Sequence, residues 1–311
     1  MSPSAFSVIF LFFLFTTLSA RLWLDMRHIR HVRLHRNAVP AQCSARISLD
    51  AHHKAADYTI AKVRLNMIML CVNAVVLLGF TLLGGLQWLY GVLLLFVGSG
   101  MTLQIGLLVA FAVIVGLIEM PSDYYRQLVL EQRFGFNRMT PGLFVLDLLK
   151  GILLGAIIGL PLVWGLLTLM GKAGNWWWLY AWVCWSGFQL LMLVLYPTVI
   201  APLFNKFTPL ADDDLRARIE RLMQRTGFAS KGLFVMDGSK RSSHGNAYFS
   251  GFGAAKRIVF FDTLIERLAP QEIEAVLAHE LGHFKLKHIG KRMVLIFALS
   301  LGFLALLGYL K

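Results

Sequence analysis

Charge is scarce in this sequence. Only 15% of its 311 residues are Asp, Glu, Lys or Arg, while 57% are hydrophobic. Globular chains average about 25% and about 45–50%, so an ordinary water-soluble domain is excluded and a membrane-protein composition remains. Cysteine is scarce as well. Cys43, Cys71 and Cys184 are odd in number and widely spaced, which excludes a disulfide framework and a zinc–thiolate cluster. Acidic residues are short too, 17 against 30 Lys and Arg, for a net charge of +13. That excess does not point to nucleic acid, because the basic residues sit beside apolar runs and no nucleic-acid motif accompanies them. Membrane flanks account for them more simply. There is no internal repeat and no low-complexity segment.

What the sequence has is long apolar runs. Pro3 to Leu24 is uncharged except for Arg21 and long enough to span; without a basic leading region it reads as a retained anchor. Residues 25–64 are polar and basic, so the positive-inside rule places them on the cytoplasmic side. Their five histidines, His28, His31, His35, His52 and His53, read as solvated polar-face residues. Leu65 to Ile118 carries no charged residue, too long for one helix and right for two spans of ~20 residues broken near Gly84-Gly85-Leu86-Gln87-Trp88. Residues 119–150 are mixed and amphipathic. Two more spans follow at about Gly151–Met170 and Trp176–Tyr196, and a sixth at Met293–Leu310. Asp147 and Lys150, at a helix end, are expected to pair or snorkel.

Residues 198–292 form the soluble part. Helical spacing and an acidic start predict a helix over Asp212 to Thr226. Short strands are predicted at Gly232 to Asp237 and Ala247 to Ser250, the latter pairing with Arg257 to Phe261. The stretch that organises the chain is Pro270 to Gly290, containing His279-Glu280-Leu281-Gly282-His283. Residues i and i+4 share a helix face, so His279 and His283 can hold one metal ion between them. Neutral imidazole suits Zn²⁺. A zinc-bound water has its pKa lowered to about 7, and a neighbouring carboxylate, here Glu280, can take its proton as general base. Ile273, Val276, Leu277 and Leu281 form an apolar stripe that packs the other side of the helix. Pro270, Glu272 and Glu274 suit its N-terminal end. Gly282 is expected where another segment approaches closely.

Several stretches together resemble the type I CAAX prenyl endopeptidases, integral-membrane zinc proteases. They are Ala55-Ala56-Asp57-Tyr58-Thr59, Glu131-Gln132-Arg133-Phe134-Gly135-Phe136-Asn137, Pro202 to Leu210, Ser239 to Tyr248, and Ala278 to His283, in family order. The resemblance implies a mainly α fold: a multi-pass membrane helical bundle with a small α+β zincin-like zinc domain. The expected division is a transmembrane region over 1–197, a zinc metallopeptidase domain over 198–292, and a last span over 293–311. It carries over His279 and His283 as metal ligands, Glu280 as the catalytic base, and one zinc ion per chain. Asn246-Ala247-Tyr248 is expected to bind substrate at an exposed strand edge, where main-chain hydrogen bonds give sequence-tolerant affinity. Asn246 also reads as an ordinary turn asparagine. His244 is a candidate electrophile. The family's third ligand, a glutamate on a helix well downstream of the metal helix, has no counterpart. The sequence is therefore expected to be C-terminally truncated, and this 311-residue form to bind zinc weakly and be inactive or nearly so.

The expected function is endoproteolysis near the C-terminus of prenylated substrates. The expected partners are a peptide or protein substrate, prenylated or not, and the lipid bilayer, with no nucleic acid. The expected site is a bacterial inner membrane or the endoplasmic reticulum membrane, zinc domain cytoplasmic. A second reading is a quality-control zinc protease acting on misfolded or stalled membrane proteins. A third is a membrane scaffold or transporter with a relict motif; a transporter should carry charged or broken mid-membrane helices, and residues 65–118 carry no charge.

Overall fold

A computed structural model describes residues 2–228, 230, 232–250 and 257–310, the side chains of Pro3, Ser250 and Phe284 excepted. By contact the chain divides into two units, Met1–Asn137 and Arg138–Lys311.

The first unit is helical: α1 (Pro3–Leu34), α2 (Leu49–Thr81), the short α3 (Gly85–Val97) and α4 (Met101–Arg133). Ser2 and Ser48 cap α1 and α2, accepting from the Ala5 and Ala51 N–H groups at 3.2 Å each and so satisfying orphan donors of the first turn. Much of the polar stretch 25–64 is thus helical, as extensions of the apolar runs on either side. The charge-free stretch breaks where its glycines predict: Gly84 turns at φ 78°, a conformation that penalises any Cβ. The turn leads into a helix of 13 residues, too short for a full span. Tyr58 donates to Glu131 Oε1 at 2.6 Å and Arg36 grips Asp57 at 2.7 and 2.9 Å, so two stretches quoted for the resemblance meet in space.

The second unit holds α5 (Pro141–Lys172), α6 (Gly174–Phe204), a small mixed lobe, and α10 (His288–Leu310). The lobe comprises β1 (Phe207–Pro209), α7 (Asp213–Thr226), β2 (Leu233–Met236), β3 (Ala247–Ser250), β4 (Arg257–Phe261), α8 (Asp262–Ile265) and α9 (Pro270–Lys285). Its sheet has the order β1-β2-β4-β3. β2 and β4 run parallel, and the outer strands are antiparallel to their neighbours. The predicted helix, the strands and the helix that carries His279 and His283 all form. β1 escapes the sequence reading because it is three residues long and ends in Pro209, which an edge strand tolerates. Asp212 caps α7 through the Leu215 N–H at 2.9 Å.

Leu215 and Ile219 of α7, Ile258 and Phe260 of β4, and Ile273, Leu277 and Leu281 of α9 make the core, each at most 3% exposed. Burying a side chain of this size contributes about 1.5–3 kcal/mol. Among the described residues six helices are long and apolar enough to cross a membrane.

Candidate metal centre

The apolar stripe of α9 decides where its histidines point. An α-helix turns about 100° per residue, so His279 and His283 lie about 200° and 240° round from Leu277. Leu277 is fully buried and Ile273 and Leu281 nearly so, which leaves both histidines exposed on the far face. Glu280, about 60° off the buried direction, is half-buried. Among the described residues it makes no hydrogen bond or ion pair.

The two imidazoles converge. His279 Nε2 and His283 Nε2 are 3.2 Å apart, with ring centroids at 4.9 Å. Two nitrogens held about 2.0–2.1 Å from one tetrahedral zinc lie about 3.3 Å apart. The pair is therefore already at the separation that zinc requires of two ligands, and neutral imidazole is the right donor. Among the described residues no set of three or more His, Cys, Asp or Glu side chains gathers as a metal site. His288 approaches from the other side: its Nδ1 stands 2.8 Å from His283 Nδ1, the nitrogen that does not face His279.

β3 is an edge strand and packs against α9. Asn246 is exposed at its start. Asn246 Oδ1 accepts from the Ala247 N–H at 2.9 Å, and its carbonyl accepts from the Phe261 N–H at 2.9 Å. The side chain is thus oriented locally, as a turn asparagine would be, and its amide nitrogen stays open among the described residues. Ala247 is buried and Tyr248 half-buried. Burial, helped by Tyr196, raises the Tyr248 phenol above its ordinary pKa, so it stays protonated. His244 is exposed; its carbonyl accepts from Thr263 Oγ1 at 2.8 Å.

The segment leading to β3 is fastened to the spans by Arg241. Its guanidinium donates to Asp147 at 2.7 and 3.0 Å, to Asn205 Oδ1 at 2.8 Å and to the Phe204 carbonyl at 2.7 Å. Arg241 and Asp147 side chains are 18% and 17% exposed. Asp147 does pair, as expected of a charge at a helix end, and Lys150 caps the Leu203 carbonyl at 2.9 Å. The expectation for Gly282 is corrected: a Cβ there would meet nothing within 4 Å, so no described segment needs the missing side chain.

Residues 28–206 match the family described as CAAX prenyl protease N-terminal, five membrane helices, and residues 209–310 match peptidase family M48. The chain belongs to the CAAX prenyl protease family of M48 peptidases. A CAAX prenyl protease 1 homologue of Oryza sativa subsp. japonica is 37% identical over 278 residues, 86% of this chain and 64% of that protein. One from Caenorhabditis elegans is 32% identical over 312 residues, 91% of this chain and 70% of that one. The crystal structure of S. mikatae Ste24p superposes with a TM-score of 0.88 at 32% identity, covering 94% of this chain and 70% of that chain. The chain thus spans about two thirds of the relatives it matches over most of its own length. Its family and the six apolar helices among the described residues make it a multi-pass membrane protein.

Two partnerships escaped sequence reasoning. Arg241–Asp147 joins residues 94 apart, a distance no local pattern encodes. His288 lies five residues beyond His283, off the helical i, i+4 register; its only signal is one more histidine just past the metal helix.

Proposed function

We propose that this protein acts as an integral-membrane zinc endopeptidase of the CAAX prenyl protease type, hydrolysing a peptide bond near the C-terminus of prenylated substrates. The observation that carries the proposal is the 3.2 Å approach of His279 Nε2 to His283 Nε2 on the exposed face of α9, beside the edge strand β3. His279 and His283 hold one zinc ion per chain through these nitrogens. Catalytic zinc sites use three protein ligands, so the remaining donor is one other than these two. A zinc ion held there would supply an acidified water and Lewis acidity toward the scissile carbonyl. Glu280 takes the proton of the attacking water and returns it to the leaving amine. β3 holds the peptide extended through its main-chain N–H and C=O groups, with Ala247 and Tyr248 lining the strand. Asn246 offers its amide N–H to the peptide, and exposed His244 is the proposed electrophile.

The accompanying topology is a membrane region over 1–197, a zinc domain over 198–292 on the cytoplasmic face of a bacterial inner membrane or the endoplasmic reticulum, and a last span over 293–311. Quality-control proteolysis would use the same site, but the family relationship favours the first reading. Glu280→Ala in the intact protein tests the chemistry. It should retain zinc and lower cleavage by about 10²–10⁴-fold. Unchanged cleavage would sink the assignment. Pairing prenylated with unprenylated peptide tests the substrate class; equal turnover returns the quality-control reading.

A further inference from the structure

We infer that His288 is a positioning residue for the metal ligand His283. The inference rests on the metal reading above. His283 presents its two ring nitrogens to two different neighbours: Nε2 to His279 Nε2 at 3.2 Å, and Nδ1 to His288 Nδ1 at 2.8 Å. A neutral imidazole has one N–H and one lone pair, so what happens at one nitrogen fixes the other. With His288 Nδ1 accepting, His283 carries its proton on Nδ1 and turns a bare Nε2 lone pair toward His279. That is the tautomer a metal needs. Ligating histidines nearly always donate their second N–H to an oriented acceptor, and here the acceptor is another histidine.

The backbone supports the arrangement. α9 ends at Lys285, with the Leu286 N–H still bonded to the Gly282 carbonyl at 3.0 Å. Lys287 then adopts φ 54°, the only described non-glycine residue with positive φ, a conformation that L side chains disfavour. This left-handed step brings the start of α10 back toward α9, with the ring centroids of His283 and His288 5.1 Å apart. The turn that joins the metal helix to the last span is thus also the turn that delivers the acceptor.

The test is zinc affinity by chelator competition, together with the visible spectrum of the cobalt(II)-substituted protein, in the intact detergent-solubilised enzyme. His288→Ala should weaken zinc binding by about 10–100-fold and change the cobalt spectrum. His288→Asp restores an acceptor at nearly the same place and should restore both. If His288→Ala does not fold, judged by metal-free thermal unfolding, His288→Leu takes its place, filling the space without an acceptor. Parental affinity in the alanine or leucine variant overturns the role, and so does an aspartate variant as weak as alanine. A parent protein that holds no zinc overturns the metal reading instead; zinc-binding parent and variants alike overturn only the part given to His288.

Discussion

The mixed lobe and the long helices obey opposite rules. In the lobe Ile219, Phe260 and Leu277 are wholly buried, and the fold excludes water from a small core. In the spans the reverse holds: Val75 is 68% exposed, Val294 70% and Tyr309 87%. No more than 6% of the apolar window of any span is buried within the protein. Lipid is as apolar as leucine, so a helix in a bilayer keeps its backbone bonds internal and gains little by hiding side chains. The lobe must bury a stripe, and burying it is what aims the histidines outward. Spans only need length and apolarity.

The contrast can be broken by mutation. Removing Arg241, which leaves Asp147 half-orphaned in a mostly buried site, should cost about 3–5 kcal/mol. Thermal unfolding of Arg241→Ala in detergent would measure it; a shift near zero would mean the tie between the spans and the segment before β3 is idle. Leu277→Ala should cost about 2–5 kcal/mol by opening a cavity under the metal helix, and zinc affinity should fall with it. Asp212→Ala removes the cap of α7 and should cost about 0.5–2 kcal/mol, with no loss of zinc. At the foot of the scale, Leu95→Ala in the exposed face of α3 should stay within about 0.5 kcal/mol. A large effect there would show that the first unit has a packed face against something other than lipid, and the comparison would have to be redrawn.

Much of this was legible before any coordinates. The apolar runs are local in sequence, and so is the helix start at Asp212. The His279–His283 spacing is local as well, because one helical turn converts it directly into a shared face. Helix extents were less legible. α1 and α2 run on through charged residues because once a helix is nucleated and capped, each added residue gains a backbone hydrogen bond whatever its polarity. Gly282 misled for a different reason: glycine signals conformational freedom and missing bulk alike, and among the described residues neither neighbour nor φ required it.

Sequence alone determined the number of apolar spans, the helix now seen at Pro270–Lys285 and the two imidazoles that share its face, because each depends on residues within a few turns of one another. Only the tertiary structure decided that Arg241 meets Asp147, that β3 lies at the sheet edge against α9, and that His288 folds back onto His283. Those contacts depend on where the chain turns and which surfaces pack, and the free energy that selects them is spread over the whole core rather than written in any one stretch.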